Sequence, residues 1–262
     1  MSSAPQSTSQ TSAPPTAASP AQTVRQIALQ QPTSVRVFER LGIDYCCGGN
    51  QSLADICAQS RLDLATVLAE LDLAANQPSL PSPDWAQASL ELLCSHIRAH
   101  HHTYIRRELP RLIHLAEKVS TRHGTTHPEL VALHAALSLL ELDLNDHFPK
   151  EESLIFPYIV ALEHSIDRSH HSGETPPASY CGFLATPLAL ISAEHDEATA
   201  LLDQFRQLTR NFAPPPTACP SFRALYDGIR EFDEHLRLHI ALEAEVLYPR
   251  ALLLEASTCA TN

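Results

Sequence analysis

Six side chains able to hold a metal ion interrupt apolar helical patterns in this 262-residue chain. His147 and Glu151 stand one helical turn apart, a rise of about 6 Å on one face, and His239 and Glu243 repeat that spacing. The repeat extends outward, because residues 147–157 and 239–249 both read His-x3-Glu, then an aromatic residue and a proline at matching offsets. A histidine precedes each motif by nearly the same interval: His195 before His239, and one of the run His100-His101-His102 before His147. Helix phase favours His102 in that run only weakly, with His101 as its rival. A carboxylate buried without a partner costs several kcal/mol, and two buried together raise each other's pKa. Cations among them remove that penalty. Four histidines and two glutamates exceed the four ligands of a structural zinc. They suit two ions, each holding two imidazoles and two carboxylate oxygens if both glutamates bridge. An oxo or hydroxo bridge brings each ion to five ligands and leaves a sixth position open. Mixed imidazole and carboxylate ligation favours iron over manganese or zinc.

Positioning six such groups requires long helices, and four apolar stripes with a period near 3.6 supply them. The first runs through Leu92, Ala99, His102, Leu109, Ile113 and Ala116. The second takes Leu133, Leu137, Leu140, Leu144, His147, Glu151 and Leu154, and the third Leu184, Leu188, Ile191, His195, Ala198, Leu202 and Phe205. The fourth takes Leu225, Phe232, His239, Glu243 and Val246, and breaks are expected at 124–128, 167–179 and 211–220. The fold class expected is all-α, an up-down four-helix bundle over residues 85–255, with 256–262 as a tail. Ahead of it, residues 24–75 show short helical patterns, with Ser34 and Ser52 as candidate helix caps and Leu64-Val67-Leu68-Leu71 at helical spacing. About fifty residues form a marginal core, so this small domain is expected to lean on a partner surface. Residues 76–84 read as a linker, and residues 1–23 as a disordered tail rich in Ser, Thr, Ala, Pro and Gln.

Composition excludes several classes. The net charge of −12 disfavours nucleic acid and anionic membrane surfaces as partners. Apolar residues make up 44%, enough for a core, yet no run approaches the ~18 residues of a membrane span. Seven glycines argue against an all-β domain, and seven cysteines, an odd number without a secretion signal, argue against a disulfide framework. A cytoplasmic location with reduced thiols is expected.

With these residues assembled, the bundle resembles hemerythrin-like di-iron proteins, and the chain from about residue 24 to 255 resembles the iron-sulfur cluster repair di-iron (RIC) family. The motifs that carry the resemblance are Asp44-Tyr45-Cys46-Cys47-Gly48-Gly49, His102, His147-x3-Glu151, Glu194-His195-Asp196-Glu197, His239-x3-Glu243 and Leu247-Tyr248-Pro249-Arg250. The resemblance implies a non-haem di-iron centre, oxo- or hydroxo-bridged, held by His102, His147, Glu151, His195, His239 and Glu243. It also implies a role in repairing iron-sulfur clusters damaged by nitric oxide or oxidants, and reactivity towards nitric oxide. One departure is Pro149, whose missing donor and clash with the Asn145 carbonyl should kink the helix between His147 and Glu151.

Around this core stand secondary candidates. Glu194 and Glu152 neighbour the metal ligands and can relay protons or simply meet solvent. His235 lies one turn from His239 and is an alternative ligand, while His96, His100 and His134 are candidate outer donors. Cys46 and Cys47 are adjacent, too close for an unstrained disulfide, and Gly48-Gly49 permit a turn presenting both thiols for docking, iron transfer or a redox step. Iron supply to damaged iron-sulfur client proteins is the leading expectation. Reduction of nitric oxide to nitrous oxide, or its binding alone, is the alternative. A homodimer is compatible with the bundle surface.

Overall fold

The structure, a computed structural model, describes residues 18–31, 33–45, 49–76, 84–172 and 182–260. The chain divides into two compact units, Met1–Ser79 and Leu80–Asn262. Among the described residues all regular structure is helical, apart from an isolated bridge between Thr23 and Ser52.

The first unit holds α1 (Val24–Gln30), α2 (Ser34–Arg40), α3 (Leu53–Ser60) and α4 (Leu64–Ala75). Local chemistry sets their ends. Thr23 and Gln26 form a reciprocal capping box at α1. Ser52 caps α3 by accepting the Asp55 N–H (3.1 Å), and Asp63 does the same for α4 through Thr66 (2.9 Å). Ser34 departs from expectation. Its own N–H already bonds to the Gln31 carbonyl (2.9 Å), so it lies inside the first turn of α2 and Thr33 takes the capping position. Gly42 ends α2 at φ 67°, where the Ile43 N–H reaches back to the Phe38 carbonyl (2.8 Å). Val24, Ile27, Val35, Phe38, Leu53, Val67 and Leu71 fill the small core. Cys46 and Cys47 lie outside the described residues.

The second unit is a bundle of four rods. The first joins α5 (Leu90–His96) to α6 (Thr103–His123) through a π turn at Ile97–His102. The second joins α7 (Glu129–Lys150) to α8 (Phe156–Ser172) through a π turn at Glu151–Ile155. The third is α9 (Ala185–Leu208), regular throughout. The fourth joins α10 (Pro220–Ala241) to α11 (Tyr248–Ala260) through a π turn at Leu242–Leu247. α6 packs on α7 and α10, and α9 on the same two, closing a ring of four. α8 runs on to Ser172, past the break expected at 167. No helix among the described residues is long and apolar enough to cross a membrane.

The π turns explain where the apolar stripes fail. A π turn takes one residue more than an α turn and so rotates everything beyond it. In the first rod Leu92 (50% exposed) and Ala99 face out, while Leu90, Leu93 and Ile97 are buried. In the second rod Leu154 is exposed and Ile155 buried, and in the fourth Val246 is only half-buried while Leu247 is fully enclosed. The third rod has no π turn, and every residue of its stripe is buried. The proline expected to kink the second rod, Pro149, stays inside α7; the ladder opens at the π turn that begins at Glu151. Pro157 and Pro249 follow two π turns, and their i−4 carbonyls (Ser153 and Glu245) lie within those turns, where widening relieves the ring clash. The first π turn has no such proline, so what the three share is a buried ligand-type residue.

The phase shift is testable by substitution. Ile155→Ala is expected to cost about 2–5 kcal/mol in a denaturation experiment, the range for deleting a buried Ile. Leu154→Ala, one residue earlier, should stay within about 0.5 kcal/mol.

Candidate metal centre

The rods bring His102, His147, Glu151, His195, His239 and Glu243 to one level of the bundle, between two apolar layers. On one side lie Leu93, Ile97, Ile155, Phe156, Ile191 and Leu247. On the other lie Leu109, Leu140, Leu144, Leu202, Phe232 and Leu236, all buried. The six polar side chains are themselves buried, His195 being the most exposed at 6%.

Their donor atoms converge. One donor atom each from His147, His195, His239 and Glu243 lies within 4.8 Å of the others, and the same holds for His102, Glu151, His239 and Glu243. Glu151 stands between His102 Nε2 (3.3 Å) and His147 Nε2 (3.4 Å); Glu243 stands between His195 Nε2 (3.2 Å) and His239 Nε2 (3.5 Å). The Nε2 atoms of all four histidines, Oε2 of Glu151 and both oxygens of Glu243 are buried without a hydrogen-bond partner. So many unmet acceptors in one spot are not tolerated in an ordinary core. Cations satisfy them together, and imidazole nitrogen with carboxylate oxygen is a donor set that iron accepts.

Two further carboxylates set the orientation. Glu152 bonds to Nδ1 of His102 (2.7 Å) and is held by Arg106 (2.7 Å). Glu194 bonds to Nδ1 of His147 (2.8 Å) and is held by Lys150 (2.5 Å). Each carboxylate fixes a tautomer that leaves Nε2 aimed inward, the usual arrangement of a carboxylate behind a metal-binding histidine. The sequence names both glutamates only as neighbours of the ligands; their partners Arg106 and Lys150 carry no sequence signal. The Tyr248 hydroxyl, donating to Glu151 Oε1, is also missed. A signal for it exists, because Tyr248 aligns with Phe156 in the internal repeat and only one of the two carries a hydroxyl.

Electrostatics follow from burial. Desolvation, then the charge of Glu151, pushes the Glu243 carboxyl well above its ordinary range. Glu151 is equally buried, but its contacts with His102 and His147 outweigh desolvation and hold it low. The expectation that each carboxylate raises the other therefore holds for Glu243 alone. Desolvation pushes His239 far down and His195 to about 4, keeping both neutral and able to donate a lone pair. A cavity of about 450 Å³ reaches this centre from the surface; His147, His195 and His239 line it beside Asp143, Asp146, Glu194 and Glu197.

The rival histidines are placed nearby but in neither cluster. His101 is buried at 3% exposure and packs on His235 (ring centroids 4.6 Å), which packs on Tyr104 (4.0 Å). His96 lies against His101 (5.3 Å) and Trp85 (4.2 Å), and His100 is exposed.

Comparison with known proteins agrees with this geometry. Residues 93–175 and 183–257 match the Hemerythrin HHE cation binding domain, and residues 20–75 match a Domain of Unknown function (DUF542). Proteins from Escherichia coli and Shigella boydii, each named Iron-sulfur cluster repair protein YtfE, are 36% identical to the chain over 231 residues, covering 88% of it and 96% of theirs.

Burial of neutral histidines sets a pH response. His235 is pushed down to about 4, first by desolvation and then by His96, whereas an unfolded histidine titrates near 6.5. Between these values the unfolded chain binds more protons, so this contribution is full above about 6.5 and is lost as pH falls towards 4. In the metal-free protein, His235→Gln is expected to flatten the loss of stability across that window, read by chemical denaturation at a series of pH values.

Proposed function

Because the chain belongs to the family of iron-sulfur cluster repair proteins, we propose that it restores damaged iron-sulfur clusters with iron held in the bundle. The observation that carries this reading is the set of unmet Nε2 and carboxylate atoms at the centre of an apolar helical core. His102, His147, Glu151, His195, His239 and Glu243 would hold two iron ions between them. Bound iron supplies redox-active, ligand-accepting cations; the chain's own residues do the rest. Glu152 and Glu194 lock the ring orientations of His102 and His147. Tyr248 holds Glu151 in place. The cavity past Asp143, Asp146, Glu194 and Glu197 gives a path to His147, His195 and His239 lined by carboxylates that suit a cation. Iron that leaves is cargo for client proteins in the cytoplasm, and Cys46 and Cys47 serve docking or transfer.

A second reading, nitric oxide binding or its reduction to nitrous oxide, is favoured by the same cavity. Its volume admits a diatomic molecule to the histidine side of the centre, where bound iron would hold reactants close together.

Protein purified without added metal is expected to carry two irons per chain with an antiferromagnetically coupled Mössbauer signal. Glu151→Leu and Glu243→Leu should each lower the content below one. Incubating iron-loaded protein with a damaged cluster enzyme should restore activity beyond that reached with free iron; equal recovery overturns iron delivery. Nitrous oxide formed over many turnovers with an electron donor establishes the second reading, and stoichiometric nitrosylation without it reduces that reading to binding.

A further inference from the structure

The outer face of α7 has a composition that its place in the bundle does not explain. Other rods show charge to solvent: Arg106, Arg107, Glu117 and Lys118 on α6, Glu231 and Glu234 on α10. α7 instead shows Val131 (55% exposed), Ala132, Ala135, Leu139 (49%) and Leu142 (68%). At about 100° per residue, these five share one arc of the helix. The opposite arc, with Leu133, Leu137, Leu140 and Leu144, is buried in the core. A helix that is apolar on both sides is made to be covered on both. The described bundle covers one.

The stripe is ordered along its length. Apart from Val131 at its edge, the N-terminal half is small (Ala132, Ala135), and the C-terminal half is large (Leu139, Leu142). Charge follows the same division. One turn beyond Leu142 and on the same arc stands Asp146, its side chain 79% exposed. At the other end is the helix N-terminus, the positive end of the macrodipole, where Pro128 takes the capping position and no side chain caps the amides. Glu129, the acid of that first turn, is bonded to His127 (3.0 Å).

We propose that this face pairs α7 with α7 of a second copy of the chain, antiparallel about a two-fold axis beside Leu137. Centred there, Ala135 lies opposite Leu139 of the other copy, Ala132 opposite Leu142, and Pro128 opposite Asp146. Each leucine fills the space over an alanine, and each aspartate meets an uncapped helix N-terminus. A parallel pairing would stack leucine on leucine, leave a gap between alanines and set Asp146 against Asp146. The two halves of one stripe thus complement each other in size and charge, which a two-fold contact between identical chains requires and a foreign partner does not. No charged residue lies on the arc between Val131 and Leu142, so two chains of net charge −12 meet along a neutral seam. Leu142, Asp143 and Asp146 also line the cavity that reaches the metal centre, so the second copy lies at its rim. The pairing itself does not depend on what the centre binds.

The full chain is expected to sediment as a dimer at micromolar concentrations. Leu139→Arg and Ala135→Arg, both at exposed sites, should leave the helicity unchanged and raise the dimer dissociation constant by about 10-fold or more, because each buries a charge in the seam. Leu253→Arg, at an exposed leucine of α11, should have no effect. Register is read by crosslinking. Mild oxidation of a mixture of Ala135→Cys and Leu139→Cys chains should join unlike copies. Each variant alone should stay at the wild-type background, since its two new thiols are offset by about 6 Å along the helices, beyond disulfide reach. A monomeric chain, or a dimer that survives both Leu139→Arg and Ala135→Arg, overturns the proposal. Crosslinking of each cysteine variant with itself, and not in the mixture, overturns the antiparallel register. A monomer in which the thiol of Leu139→Cys resists a bulky thiol reagent would mean that another part of the chain covers the face, and also counts against the pairing.

Discussion

Two carboxylates and four imidazoles confined in a space a few ångströms across, with apolar layers on either side, are the constraint on which the bundle depends. Without a cation the arrangement is electrostatically frustrated. Burial and the charge of Glu151 push Glu243 towards its protonated form, Glu151 leans on His102 and His147, and His195 and His239 stay neutral. The apolar layers that make the frustration costly also make it useful. They leave the Nε2 atoms without protein partners, so a cation entering the centre meets lone pairs that no side chain already holds. The same burial raises the benefit of outer contacts, and Glu152 and Glu194 with their Arg106 and Lys150 partners keep two of the four rings from turning away.

The pseudo-symmetry of the sequence repeat is broken at two points that bear on the chemistry. Tyr248 gives Glu151 a hydroxyl donor, and the aligned Phe156 gives Glu243 none. Carboxylates orient His102 and His147, while His239 faces other imidazoles. The two halves of the site share a residue pattern but not an environment.

Much of this was legible from residue types and spacing. The two His-x3-Glu motifs, the third apolar stripe from Leu184 to Phe205, and the Ser52 cap needed only periodicity and capping chemistry. Leu92, Ala99, Leu154 and Val246 were misplaced for one physical reason. Leu92 lies ahead of a π turn and the other three within one, and a rule with a fixed period of 3.6 carries its phase straight through a residue that the helix uses to widen. Arg106 and Lys150 were illegible for another reason: they meet their partners across rods, and no local pattern records which long side chain reaches over. His101 and His235 were named as alternative ligands because spacing places them near the centre. Their actual neighbours are one another, a distinction that only packing makes.

The three π turns have a consequence for how the chain tolerates change. A substitution in α5, α8 or α11 disturbs the neighbours of one residue. A single-residue deletion inside a π turn restores α geometry and leaves the following segment in phase, whereas one in the α-helical stretch around it swings the segment beyond by about 100°, carrying Leu247 and Ala251, or Ile155 and Ile159, out of the core together. Nothing in the facing rods compensates unless they shorten too. Drift in residue type is thus absorbed locally, while drift in segment length is felt across half the bundle, so homologous chains should vary freely in side chains along these rods and scarcely at all in the number of residues they contain.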